Sequence, residues 1–228
     1  MLKQNLENVQ KRIAAACLRA GRNVQELTLV LVTKGVAPDK IREVYDLGFR
    51  NFGENRVQEW LEKKKELPAN IHWHMIGHLQ SNKVKFGIGE FDLIHSIDSL
   101  KLAQEIGRQA QQKNLVGNGL IQVNTSGEAT KHGLSPSAVS QTVGEVKKLA
   151  GIRIRGLMTI GPLTQDEKKT REAFHSLRLL RDQMKSEQPD LDWRYLSMGM
   201  SGDFEIAIEE GANLLRIGTA IFGERKQK

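Results

Sequence analysis

The sequence predicts an α/β chain: a single (β/α)8 TIM barrel over residues 1–228 with an extra N-terminal helix. Three observations predict it. Eight short apolar stretches recur along the chain, and helix-like segments separate them, the alternation of a parallel sheet. No G-x-G-x-x-G follows the first strand, and Gly218 and Gly223 come too late for the doubly wound open sheet that is the alternative.

Leu2, Leu6, Val9, Ile13, Ala16, Cys17 and Ala20 stand three or four apart, which makes residues 2–20 an amphipathic helix stopped by Gly21. The apolar run Leu29-Val30-Leu31-Val32-Thr33 is the first strand, and Lys34 closes it. Pro38 and Asp39 then open a helix carrying Ile41, Val44 and Tyr45, which Gly48 ends. Later strands are expected at 49–52, 71–76, 93–97, 119–123, 152–158, 195–198 and 214–217. Helices are expected at 57–67, 79–86, 99–114, 135–150, 166–186 and 203–210, with the period clearest at Val139, Val143 and Val146 and at Phe174, Leu177 and Met184. In such a barrel the binding face lies at the C-terminal strand ends, with a phosphate site after strands seven and eight. That corner receives Ser201, Gly218 and Thr219.

With 39% hydrophobic and 27% charged residues, the chain has enough apolar content for a core that folds unaided. Cys17 is the one cysteine, so no internal disulfide forms and the thiol is expected in the core. No apolar stretch approaches the roughly 20 residues of a membrane helix, and the first seven residues carry no secretory pattern, so a cytoplasmic protein is expected. The net charge of +7 is scattered: Lys63-Lys64-Lys65, Lys147-Lys148 and Lys168-Lys169 each sit in a helix-like segment. Aromatic residues are only 5%, too few for a base-stacking platform, which argues against a nucleic-acid partner.

Lys34 carries the chemistry. An amine at the mouth of a buried strand loses part of the solvation that favours its charge, so its pKa falls and it attacks aldehydes, pyridoxal 5'-phosphate (PLP) being the one expected. The plain alternative is a lysine that ends a strand and snorkels to solvent. At the opposite end of the chain, small residues let backbone N–H groups approach phosphate oxygens, and the Ser201 and Thr219 hydroxyls add donors. Arg216 shares the facing of Gly218 two residues on, and it either meets a pyridine nitrogen or forms a salt bridge to Glu54 or Glu209. Asn55 either contacts a ligand or caps the helix that follows. His72, His74 and His78 invite a metal reading, but no nearby carboxylate or cysteine in the sequence completes a zinc set, so no metal is expected. Asn124-Thr125-Ser126 fits the glycosylation pattern, which a cytoplasmic chain never uses. Lys131 and His132 are placed on a rim loop beyond the fifth strand, where Lys131 is a weaker candidate for a second ligand-handling lysine.

Together, Val32-Thr33-Lys34, Phe52 to Glu59, Trp73 to Lys83, Gly156 to Ile160, Leu196 to Ser201 and Arg216 to Gly223 resemble the pyridoxal phosphate homeostasis proteins of the YggS/PROSC type. The similarity runs from about residue 27 to residue 223 and departs slightly at Gly35-Val36-Ala37. It implies a PLP fold type III barrel like the alanine racemase N-terminal domain, with the cofactor held as a Schiff base on Lys34. It also implies Ser201, Gly218 and Thr219 on the phosphate, Arg216 facing the pyridine nitrogen, and Asn55 and Met200 bordering the ring. The family is associated with buffering or delivering PLP, with amino-acid and keto-acid balance, and not with robust catalysis.

Racemases of the resembling fold add a second domain whose tyrosine is one of two bases. Here only Glu224 to Lys228 follow the last barrel motif, and no such domain is expected. Tyr45 reads as helix packing and Tyr195 as a strand start, so neither is a partner base for Lys34. A PLP binder is therefore expected, with a single-domain racemase or lyase as the alternative. A monomer is expected, with transient contacts to PLP-dependent apo-enzymes as its only protein partners.

Overall fold

The computed structural model describes residues 1–128 and 130–224, so Ala129 and the end of the expected tail, Arg225 to Lys228, lie outside the described residues. Helix α1 (Leu2–Arg19) leads into β1 (Thr28–Val32), α2 (Pro38–Asp46), β2 (Asn51–Glu54), α3 (Val57–Lys63) and β3 (His72–Met75). A 3-10 turn (Ser81–Lys83) and α4 (Val84–Gly87) precede β4 (Leu93–Ile97), α5 (Leu100–Gln112), β5 (Gly117–Gln122), α6 (Pro136–Val146) and β6 (Ile152–Met158). The chain continues through α7 (Glu167–Glu187), β7 (Tyr195–Ser197), α8 (Phe204–Glu209), β8 (Leu214–Ile217) and α9 (Thr219–Phe222). Every strand pairs in parallel with the next, and β8 pairs with β1, so the sheet closes into the expected TIM barrel.

Local chemistry sets several boundaries. Pro38 and Pro136 start α2 and α6, where their missing N–H costs nothing. The Ser99 hydroxyl accepts from Leu102 N–H at the start of α5, and Asp166 accepts from Lys168 and Lys169 N–H groups at the start of α7. Along β8 the side chains alternate: Leu215 and Ile217 pack outward under the helices, whereas Leu214 joins Val30, Leu93, Leu120 and Met158 inside the barrel.

Two elements differ from expectation. Strand β2 sits two residues later than its apolar stretch: Gly53 faces Val30 and Ile76, whose side chains would have to give way to a Cβ, and Glu54 finds a cation outside the barrel. The helix expected at 79–86 is instead a 3-10 turn and one turn of α4. Regular helix begins only at Val84, after the 3-10 turn, and ends at Gly87, with Phe86 exposed. Helix α9, a single turn, is too short to leave a period.

Helix α1 buries Leu2, Leu6, Val9, Ile13, Ala16 and Cys17, each larger aliphatic contributing about 1.5–3 kcal/mol. Its Asn5 amide donates to Ile221 O at 2.8 Å and its Arg12 pairs with Glu205 at 2.6 Å, while Arg22, just past the helix, donates to the carbonyls of Ile208 and Ala212. The extra helix thereby fastens α8 and α9, the elements around the expected phosphate corner. Among the described residues, no helix is long and apolar enough to cross a membrane.

Candidate functional site

Lys34 stands two residues beyond β1, at the C-terminal end of the barrel. Its side chain is exposed, so the expectation of a shielded amine is not met: the residue lies on a turn past the last ladder position, at an open rim. It lines a cleft of about 400 Å³ together with Asn55, Met75, Gly77, His78 and Lys83. Gly35 has φ +68°, a conformation that favours glycine and lets the chain turn directly after Lys34.

What is fixed is the backbone around Lys34. The buried Lys63 ammonium donates to Thr33 O at 2.6 Å, to Glu54 Oε1 at 2.7 Å and to Glu59 Oε1 at 2.6 Å. The Thr33 hydroxyl donates to Glu54 Oε1 at 2.6 Å, and Glu59 Oε1 accepts from Gly35 N–H. One ammonium and two carboxylates thus hold both neighbours of Lys34. Burial pushes the Glu54 carboxyl up against the opposing pull of Lys63. Burial acts the same way on Glu59, but there the Lys63 and Gly35 donors outweigh it and the carboxyl falls below its ordinary range.

Arg216 points into the barrel and is 4% exposed. Its guanidinium donates to Ser197 Oγ and, at 2.8 Å, to Thr159 O; among the described residues no carboxylate pairs with it. Both salt-bridge partners considered from spacing are engaged elsewhere, Glu54 with Lys63 and Glu209 with Arg19 and Arg171. Burial lowers the Arg216 pKa to about 10, partly offset by the charge of Asp203, so the group stays protonated at neutral pH.

Beneath Arg216 a hydrogen-bonded file crosses the barrel. His95 Nδ1 meets Ser197 Oγ at 2.9 Å, His95 Nε2 meets His74 Nδ1 at 3.0 Å, and His74 Nε2 meets Asn51 Oδ1 at 3.1 Å. Burial holds both rings neutral at pH 7, His74 at about 4 and His95 well below the usual histidine value. Since Ser197 accepts from Arg216, its hydroxyl is free to donate to His95 Nδ1. Both imidazoles then carry their proton on Nε2, and every donor points away from Arg216.

At the corner between β7 and α9, the Ser201 hydroxyl accepts from Gly218 N–H at 3.3 Å and from Ala220 N–H at 3.1 Å. With both lone pairs taken, its own proton is left to donate outward. Thr219 is exposed beside it, and Met200, also exposed, donates its N–H to Asp203. Leu31 is in register with Ile217 across the seam, so Lys34 and the Ser201–Thr219 corner share one rim.

Asn55 does not cap the following helix; Arg56 occupies that position. Its Oδ1 is instead buried, with no hydrogen-bond partner among the described residues, on the wall of the Lys34 cleft. Gly77 packs directly on it, and a Cβ there would lie 2.4 Å from Asn55 O.

The other candidates scatter. His72 pairs with Asp92 at 3.2 Å, His74 belongs to the internal file, and His78 is on the rim. The sequence offered no nearby carboxylate to complete a zinc set; the fold brings one to each of two histidines, Asp92 to His72 and, on the rim, Asp98, whose Oδ2 lies 3.0 Å from His78 Nδ1. Lys131 reaches the rim but donates to Glu128 Oε1 and Gly161 O. Tyr45 bonds Asn70, and Tyr195 begins β7 at the opposite end of the barrel, so both tyrosines are away from the rim.

A family model described as "Alanine racemase, N-terminal domain" matches residues 2–226. A protein of Aquifex aeolicus (strain VF5) named pyridoxal phosphate homeostasis protein is 45% identical over 224 residues, covering 98% of each chain. The chain belongs to the pyridoxal phosphate homeostasis protein family. A structure of PipY, a COG0325 family member of Synechococcus elongatus PCC7942, with PLP bound is 36% identical, with a TM-score of 0.83; the match covers 93% of this chain and 99% of that one. An alanine racemase of Clostridium difficile 630, at 17% identity and a TM-score of 0.76, shares the fold; the chain spans 56% of its length.

Sequence reading of this homeostasis-family chain missed the Lys63 network and the histidine file. Lys63 sat in a lysine run that looks like a solvated face; Glu59 is one turn earlier on the same helix, but Glu54, the buried partner, lies on β2. The file was half visible, since Asn51, His74, His95, Ser197 and Arg216 are polar residues inside apolar strands.

Proposed function

We propose that this chain binds PLP as a Schiff base on Lys34 and serves PLP homeostasis, buffering or delivering the cofactor without robust catalysis. The observation that carries the reading is the β1–β8 rim. An accessible amine, a buried guanidinium without a carboxylate partner and a serine hydroxyl oriented to donate converge there. The residues fit the cofactor: the unpartnered Asn55 Oδ1 gives a donor-bearing ring edge something to meet, and Arg216 is a cation awaiting an acceptor. When bound, PLP supplies an aldehyde and an electron-withdrawing ring.

In this reading Lys34 holds the aldehyde carbon, and Ser201, Gly218 and Thr219 take the phosphate. Asn55 and Met200 border the ring, and Arg216 donates to the pyridine nitrogen. An arginine does not release its proton, so that nitrogen stays unprotonated and carbanion chemistry is poorly supported. The placement of both tyrosines away from the rim supports a binder over a two-base racemase. A single-domain monomer in the cytoplasm, meeting apo-enzymes transiently, completes the proposal; the curated relative's name, which describes homeostasis and not a reaction, supports it.

Borohydride reduction of PLP-loaded protein followed by peptide mass spectrometry tests the site. The adduct is expected on Lys34 and absent from Lys34→Ala; an adduct on another lysine overturns the assignment. Incubation with L-alanine and other amino acids, followed for chirality and keto-acid release, tests the carrier role. Robust turnover would replace it with the racemase or lyase alternative.

A further inference from the structure

Three successive loops at the C-terminal face bring His78, Asp98 and His132 together. His78 follows β3, Asp98 follows β4, and His132 lies in the loop between β5 and α6. Asp98 Oδ2 is 3.0 Å from His78 Nδ1 and 3.9 Å from His132 Nδ1, and one ligand atom from each residue lies within 4.8 Å of the others. The imidazoles stack with centroids 4.1 Å apart and planes 15° apart. From these observations we infer a binding site for a zinc-class divalent cation, held by His78, Asp98 and His132.

Three arguments support it. A tetrahedral ion with ligand bonds of about 2.0–2.1 Å holds its ligand atoms about 3.4 Å from one another, a separation that the two measured distances to Asp98 bracket. The ligands are already oriented: Ser99 Oγ donates to Asp98 Oδ1 at 3.3 Å, which leaves Oδ2 for the ion. Gln122 Nε2 donates to His132 O at 3.0 Å, and the Leu134 N–H and carbonyl bond Gln122 and Asn124, which pins the loop that carries His132. Two imidazoles with one carboxylate select zinc, cobalt or nickel over magnesium and calcium, which take oxygen ligands. Three protein ligands leave one position to water or an anion, and His78 also belongs to the wall of the Lys34 cleft. The inference does not rest on the cofactor reading, and its readout is the cation itself.

The test uses the full chain, treated with a chelator, dialysed and titrated with Zn²⁺ alone by calorimetry. Co²⁺ is then followed by visible absorption. One cation per chain is expected, with the intense visible bands of a four-coordinate Co²⁺ site. His78→Ala, Asp98→Asn and His132→Ala are each expected to weaken binding about tenfold or more, since even a supporting partner of a metal site acts on that scale. His72→Ala, whose ring pairs with Asp92 elsewhere, leaves binding unchanged. In the unsubstituted protein, which needs no variant to fold, Zn²⁺ is expected to protect His78 and His132 from diethyl pyrocarbonate. Failure to bind Zn²⁺ stoichiometrically, binding that survives all three substitutions, or modification of both histidines at an unchanged rate overturns the site.

Discussion

Lys63 of α3 donates to the carbonyl oxygen of Thr33 at 2.6 Å, so one lysine holds the residue that precedes the other, Lys34. The same ammonium reaches Glu54, which is fully buried. Lys63→Met leaves that carboxylate without its cation, and a loss of about 3–5 kcal/mol in urea unfolding is expected. The sign with pH follows from Glu54, whose folded pKa is raised above its unfolded value by burial. Stability from such a group is present below the unfolded pKa and is lost as pH rises through the folded one. The deficit of Lys63→Met is therefore smaller at pH 4 than at pH 8, and unfolding curves at the two values check it.

His74 and His95 are neutral in the fold and protonate when the chain unfolds in mild acid. Their folded pKa values are depressed, so the unfolded state binds more protons and stability falls as pH drops below about 6.5. With His74 held at about 4, that residue alone contributes a loss on the order of 2 kcal/mol between pH 6.5 and 5. Replacing His74 and His95 by Gln is expected to flatten this part of the melting-temperature profile, whatever the variant's absolute stability.

Gly77→Ala places a methyl carbon 2.4 Å from Asn55 O and 2.6 Å from its Cα, both backbone atoms that cannot swing aside. A destabilisation of about 1–3 kcal/mol is expected, accompanied by weaker PLP retention because the Asn55 amide moves with its backbone. Thermal melts and the fluorescence of bound cofactor report the two effects.

Arg216→Met removes a buried cation that has only neutral partners. Its lost donors and its lost desolvation cost oppose each other, so apo-protein stability is expected to change by about 1 kcal/mol or less. With Arg216 as the proposed donor to the ring nitrogen, PLP is expected to leave faster and its absorption band to shift. Denaturation of the apo form and stopped-flow release of cofactor distinguish the two.

The barrel was legible because its strands are apolar and bounded by helices: β6 and β8 begin and end where the apolar runs do. Strand β2 was misplaced by its own content, since Gly53 and Glu54 do not look like strand residues until Val30, Ile76 and Lys63 are seen around them. Lys34 and Ser201 stood out by position beyond strand ends and Arg216 as a cation inside an apolar strand, which made them candidates. The exposure of Lys34 and the open valence of Asn55 depend on how neighbouring loops close, which residue type does not encode. The Asp98 contact to His78 joins loops twenty residues apart, and spacing along one strand could not anticipate it.

The seam between β1 and β8 joins the first strand to the last. Lys34 comes from one side of it and the Ser201–Thr219 corner from the other, so a growing polypeptide holds no complete form of the proposed pocket until β8 has emerged and the circle has shut. On the proposed reading, loading with cofactor then doubles as a reporter of finished folding, and chains truncated before β8 would announce themselves by staying colourless.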